Sequence, residues 1–104
     1  MKNYKRPKSK GDHKYTIYQD GNLTMYYRYG CLHREKGAAY IDHTANRKIY
    51  YRYGKIHRND GPADIIENDF SDFYLNGERY DFDEWINKTN VPDETKAHLI
   101  ILYG

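Results

Sequence analysis

Short apolar and aromatic runs, each closed by a glycine or a turn-forming pair, cover residues 15–80, and their spacing is that of strands rather than helices. Asp20-Gly21 separates Tyr15–Tyr18 from Leu23–Tyr29, which is a hairpin signal. The corresponding turn further on falls around Thr44-Ala45-Asn46. Along the second aromatic run Ile49, Tyr51 and Tyr53 share one face, and Tyr50 and Arg52 share the other. Asp72-Phe73-Tyr74-Leu75-Asn76-Gly77 reverses that emphasis, with Phe73 and Leu75 standing where Tyr50 and Arg52 stood. One face is therefore expected to be packed early, with a switch where the C-terminal segment covers the sheet.

Beyond Gly77 the period changes. Asp81 stands three residues before Glu84 as in a capping box, and Phe82, Trp85 and Ile86 follow at helical spacing. Asn90-Val91-Pro92-Asp93-Glu94 opens a second helix, with Ala97, Ile100 and Ile101 as its expected inner face. Residues 98–103 are compatible with a strand by composition as well. Residues 81–104 read as a helical cap on one domain spanning 13–80, and residues 1–12, basic and without periodicity, as a flexible arm.

The strands are organised by a duplication. Tyr26-Tyr27-Arg28-Tyr29-Gly30 returns unchanged 24 residues later as Tyr50-Tyr51-Arg52-Tyr53-Gly54. Cys31-Leu32-His33-Arg34-Glu35-Lys36-Gly37-Ala38-Ala39 then aligns with Lys55-Ile56-His57-Arg58-Asn59-Asp60-Gly61-Pro62-Ala63. Ile17, Ile41 and Ile65 keep the same interval. A fixed period of this length defines a repeat architecture. The predicted fold is mainly β, an antiparallel meander of about three stacked 24-residue β-hairpin repeats with a C-terminal helical cap. Gly30, Gly54, Gly37 and Gly61 are expected at positive φ in turns, and Pro62 at the start or edge of a strand.

Composition changes this picture in one respect. Of the 104 residues only 38% are hydrophobic, yet 13 are tyrosine, so tyrosine is expected to stand in for an aliphatic core. Cys31 is the single cysteine, which rules out an internal disulfide and points to a reducing, cytoplasmic setting. No apolar run reaches membrane-spanning length, and no secretory signal or membrane association is expected. The net charge of +2 conceals a dipole. Residues 1–58 carry 14 Lys and Arg against four acids, and residues 59–104 carry three against 11, balances of +10 and −8. That asymmetry concerns partners, including head-to-tail self-association, rather than fold.

His33 and His57 are the candidates for a metal or catalytic site. Equivalent residues in neighbouring hairpins lie about 10 Å apart at ordinary strand spacing, too far to share one ion. The reading taken is structural: each imidazole, with Arg34 or Arg58, satisfies backbone groups in the turn of its own repeat, with Gly37, Gly61 and Pro62 shaping the loop. Cys31 lies near cationic residues, but one cysteine on a regular repeat does not make a nucleophile. No phosphate loop, paired-carboxylate or His-Glu-x-x-His arrangement is present, so neither catalysis nor a cofactor is expected.

Tyr51-Arg52-Tyr53-Gly54-Lys55-Ile56-His57-Arg58-Asn59-Asp60-Gly61-Pro62-Ala63 and Phe73-Tyr74-Leu75-Asn76-Gly77 resemble the aromatic-Asn-Gly-x-x-His-Arg-x-x-Gly-Pro-Ala repeats of small phage and giant-virus proteins. Those are in turn similar to variants of the MORN repeat, a β-hairpin unit. The first copy departs from the pattern, with Ala38 in place of proline and Tyr29 in place of asparagine. The MORN glycines are incomplete, so lipid binding is not carried over. The resemblance implies a phage accessory protein, a host-takeover or anti-defence factor acting in the host cytoplasm on a host protein.

The function expected is accordingly that of a non-enzymatic protein-binding module presenting Tyr26, Arg28, Arg34, Tyr50, Arg52 and Arg58, residue types enriched at binding hot spots. The alternative is a nucleic-acid-binding protein using the basic, tyrosine-rich N-terminal half.

Overall fold

The structure, a computed structural model, describes residues 15–104; the arm expected over 1–12 lies outside the described residues. The chain forms a mainly β antiparallel meander followed by two helices. Strands β1 (Tyr15–Asp20) and β2 (Leu23–Arg28) make the first hairpin, in register from Asp20 opposite Leu23 to Tyr15 opposite Arg28. Gly21, at φ 59°, supplies the positive φ that its two-residue turn requires. Strands β4 (Tyr40–Asp42), β5 (Arg47–Ile49), β8 (Asp64–Ile66) and β9 (Phe70–Leu75) continue the sheet in the order β1-β2-β4-β5-β8-β9. Asp42 accepts the Thr44 and Ala45 N–H groups and so closes the loop between β4 and β5.

A second row of short hairpins grows from the same aromatic strands. Residues 27–28 of β2 fold back on β3 (Cys31–Leu32), β6 (Tyr51–Arg52) pairs with β7 (Lys55–Ile56), and the end of β9 pairs with β10 (Glu78–Tyr80). The turns at their tips are Tyr29-Gly30, Tyr53-Gly54 and Asn76-Gly77, with φ of 49° and 77°, 47° and 85°, and 52° and 87°. Positive φ at both central residues is the type I′ signature, whose twist matches that of the flanking strands.

The continuous strand expected from Ile49 to Tyr53 is broken at Tyr50. Its N–H donates to Ala63 O (2.7 Å) on the main sheet, and its carbonyl accepts His57 N–H (2.9 Å) from the hairpin row. Tyr26 makes the same pair of bonds, to Ala39 O and from His33 N–H. At these residues the chain changes partner, so parity along the sequence does not carry across them.

The expected change of packed face is instead a change of cover. The ring at the partner-switching position lies under Arg34 at Tyr26, under Arg58 at Tyr50, and against Phe82 and Trp85 at Phe73. Helix α1 (Phe82–Lys88) follows Asp81, which has extended N-cap dihedrals but makes no side-chain cap bond. Trp85, fully buried, donates from Nε1 to Arg58 O (3.3 Å), and the Thr89 hydroxyl donates to Asn59 O. With Phe73, Ile86 and Leu99 it forms the hydrophobic cluster.

Helix α2 (Asp93–Tyr103) takes residues 98–103 as helix, but on a different face from the one expected. Leu99 is buried and Tyr103 packs edge-on to Phe73, whereas Ile100 and Ile101 are 52% and 81% exposed and Ala97 is also exposed. Leu99 and Tyr103 are one helical turn apart, which rotates Ile100 and Ile101 outward. Tyrosine replaces the aliphatic core only in part: Tyr27 is the one buried tyrosine among the described residues, most others being half-buried.

Candidate functional site

The loops that follow β3 and β7 lie over the aromatic strands and lock consecutive hairpins together. His33, 2% exposed, accepts the Tyr53 N–H at Nδ1 (3.0 Å), and His57 accepts the Asn76 N–H in the same way (2.9 Å). Gly54 N–H to Leu32 O and Gly77 N–H to Ile56 O, both 2.8 Å, complete each joint. The imidazoles therefore satisfy the turn of the following hairpin, which corrects the expectation that each serves its own. A type I′ tip bends its amides away from its own strands, so only a neighbour can reach them.

Arg34 stacks 3.9 Å over the Tyr26 ring and donates to Ala38 O (3.1 Å); Arg58 stacks 4.0 Å over Tyr50 and donates to Pro62 O (3.0 Å) and Asp60 (2.9 Å). A Cβ at Gly37 or Gly61 would stand 2.9 Å from one of these guanidinium groups and would displace it from its stack. Gly37 sits at φ 117°, whereas Gly61 is not at positive φ, contrary to expectation, and only the close approach of Arg58 bears on its side chain. Pro62 is buried two residues ahead of β8. Four of the six residues expected on a binding surface, Tyr26, Arg34, Tyr50 and Arg58, are thus half-buried and paired with one another.

The remaining two differ. Arg28 donates to Glu35 (3.1 Å) and lies 5.1, 5.5 and 5.8 Å from the ring centres of Tyr15, Tyr29 and Tyr53. Its Nε is buried and bonded to nothing. Glu35 also accepts from His33 Nε2 (2.6 Å), and this hydrogen bond, with the charges of Arg28 and Arg52, holds its carboxyl below the usual carboxylate range. Arg52, the counterpart of Arg28, is exposed and meets Asn59 where Glu35 would be. It borders a cleft of about 520 Å³ between the two loops, with Lys36 and His57.

Burial first and Arg52 second push the His57 imidazole below its ordinary value, against a hydrogen bond to Asn59. A depressed folded value means that the unfolded chain takes up the proton first. The stability from neutral His57 is complete above the unfolded value of about 6.5 and is lost as pH falls below it. In His57→Asn, Oδ1 can stand in for Nδ1. The loss of stability between pH 7.5 and 5.5 in urea titrations should therefore be smaller in this variant than in the parent.

Sequence reasoning passed over the hairpin tips. Tyr15, Tyr29 and Tyr53 are 57%, 50% and 50% exposed and gather around Arg28. The signal was present: two tips carry tyrosine before glycine where the third carries Asn76. Among the described residues no three His, Cys, Asp or Glu side chains group as metal ligands, and no helix is long and apolar enough to cross a membrane. No protein-family model, curated protein or solved structure matches the chain.

Proposed function

We propose that the chain is a non-enzymatic protein-binding module made of about three stacked 24-residue hairpin units, and that its contact surface is formed by the tip residues Tyr29 and Tyr53, with Tyr15 of β1, around Arg28. One observation carries this reading. Tyr29 and Tyr53 hold left-handed backbone at φ 49° and 47° with half their surface in water. An L-residue other than Asn or Asp gives up about 1–2 kcal/mol there, of which the Tyr53 contact with His33 and the exposed contacts with Arg28 return only part. Asn76 occupies the same position in the third tip at no such cost. Strain retained at an exposed aromatic is the pattern of a surface kept for a partner, and Tyr beside Arg is the pairing enriched at binding hot spots.

The phage resemblance makes a host protein in the host cytoplasm the proposed partner, with takeover of a host process or evasion of a defence as the purpose. A protein fits these tips better than a nucleic acid does. Glu35 neutralises Arg28 within the row, and the next tip leads into Glu78 and Asp81, so a polyanion tracking the tips would meet repulsion. The test is capture of a partner from nuclease-treated host lysate, run beside oligonucleotide binding at several salt concentrations. Capture that survives nuclease is the expected result. An empty capture with tight, steeply salt-dependent oligonucleotide binding would replace this reading with the nucleic-acid one.

A further inference from the structure

The two copies of the loop share their backbone bonding and differ in charge at two positions, Glu35 against Asn59 and Lys36 against Asp60. In the first, Arg28 and His33 converge on the Glu35 carboxylate, which accepts from Arg28 at 3.1 Å and from His33 Nε2 at 2.6 Å. In the second, Arg52 and His57 occupy the matching positions, 24 residues on, and the residue between them is Asn59. His57 is held as His33 is, its Nδ1 committed to a tip amide at 2.9 Å against 3.0 Å, so its other ring nitrogen faces the same way. Asn59 is neutral and its backbone is tied to α1 through Thr89. Among the described residues the Arg52 side chain forms no hydrogen bond or ion pair, its charge being felt only at longer range by Glu35, while Asp60, the acid nearest in sequence, is taken by Arg58 at 2.9 Å. The cleft beside Arg52 is open, about 520 Å³; its two carboxylates, Glu35 and Asp60, are held by Arg28 with His33 and by Arg58, which leaves Lys36 as the second cation without an ion-pair partner among the described residues.

We infer that Arg52 and His57 form a receptor for a carboxylate carried by the partner, an Asp or Glu side chain that enters the cleft and takes the place Glu35 holds in the first copy. One carboxylate oxygen accepts from the Arg52 guanidinium while His57 Nε2–H turns from Asn59 toward it, a charge-assisted pair of the kind already built at Arg28. Lys36 adds attraction at the rim. No group is transferred and no bond other than hydrogen bonds changes. This deepens the protein-binding reading and rests on it: the partner it describes is acidic at the point where it meets the second loop. Burial first and Arg52 second depress the proton affinity of His57, which fits a site with no carboxylate in direct contact.

The experiment follows the His33 and His57 ring resonances of the full chain by NMR during titration with hexaglutamate peptide at low ionic strength, where screening is weak. Parent, Arg52→Gln and Asn59→Glu are compared, with inorganic phosphate as a separate arm. The expected result is a peptide-induced shift at His57 and not at His33. Loss of a charge-assisted hydrogen bond predicts at least about tenfold weaker binding in Arg52→Gln. Asn59→Glu, which supplies the missing carboxylate from within, should weaken the peptide as strongly and raise the urea midpoint. Arg52 and Asn59 are both exposed, so the variants keep the fold.

No shift at His57, equal binding by all three proteins, or shifts only outside the cleft would overturn the inference. An equal response to phosphate would overturn the carboxylate assignment. The two readings fail separately. If Tyr29→Asn and Tyr53→Asn abolish partner capture while the peptide ignores Arg52, the receptor alone is wrong. If capture is indifferent to the tip tyrosines, the proposed contact surface is wrong whatever the peptide does.

Discussion

Trp85→Ala is expected to cost about 3–5 kcal/mol, the range for truncating a buried large aromatic, in a chain whose whole stability is of the order of 5–15 kcal/mol. The indole is fully buried, contacts Phe73 with ring centres 4.8 Å apart, and caps the Arg58 carbonyl. It also does for the third hairpin what Arg34 and Arg58 do for the first two, covering the ring at the partner-switching position. Apart from Phe73, which belongs to this cluster, the buried hydrophobic side chains of the described β-rich part are three alanines with Met25, Tyr27 and Ile49. Losing the indole therefore removes the largest fully buried side chain among the described residues and frees both helices. Urea unfolding by circular dichroism reads the effect directly. Ile101→Ser is the control: at 81% exposed it should change stability by no more than about 0.5 kcal/mol. Equal, small effects of the two would mean that the helices do not close the sheet.

The second large effect is expected at Arg47. Asp64 is buried on β8, and Arg47 on the neighbouring strand grips it with two bonds, Nε to Oδ1 at 3.0 Å and Nη2 to Oδ2 at 2.7 Å. Burial, reinforced by the Asp64 charge, pushes the Tyr51 phenol above its ordinary value, so the field of this carboxylate is felt within the sheet. Arg47→Ala leaves the carboxylate buried without its partner. A fully buried pair broken this way costs about 3–5 kcal/mol. Arg47 is 38% exposed, so water can reach the vacated position and the expected loss is about 2–3 kcal/mol. Asp64→Asn in the same background removes the stranded charge and should recover at least half of that loss. A double variant no more stable than Arg47→Ala would locate the effect in packing of the arginine stem over Phe70 rather than in charge.

What could be read from the residues was what local chemistry decides. Gly30 and Gly54 mark turns because positive φ is a property of the glycine itself, and Phe82, Trp85 and Ile86 mark an inward face because the helix period is fixed. The β-rich class followed from the alternation and the turns. What could not be read depended on neighbours distant in sequence. The histidines were placed in their own turns because nothing in the sequence says that a type I′ tip offers its amides only to an adjacent hairpin. The strand through Tyr50 was drawn unbroken because its two halves bond to segments on either side, 57 and 63. Helix α2 misled for a different reason. Leu99, Ile100, Ile101 and Leu102 are apolar all round the turn, so periodicity could not choose a face, and contact with Phe73 did. At the site, the exchange of Glu35 for Asn59 was visible as a substitution, but its meaning required both loops to be bonded alike.

Tyr29 and Tyr53 are kept for a partner at the expense of the fold, and one paired measurement tests this. The double variant Tyr29→Asn, Tyr53→Asn gives both tips the residue that Asn76 already provides. Relief of left-handed strain favours the variant by about 1–2 kcal/mol per site. Against this stand the lost contact of Tyr53 with His33, ring centres 4.1 Å apart, and two exposed contacts with Arg28, each worth about 0.5–1 kcal/mol. Urea unfolding and partner capture on the same preparation should therefore show stability unchanged or raised and capture reduced at least about tenfold, as removal of two aromatic hot spots requires. A variant that loses stability by more than about 1 kcal/mol yet captures the partner as the parent does would contradict the account, because the tyrosines would then serve the fold and not the surface.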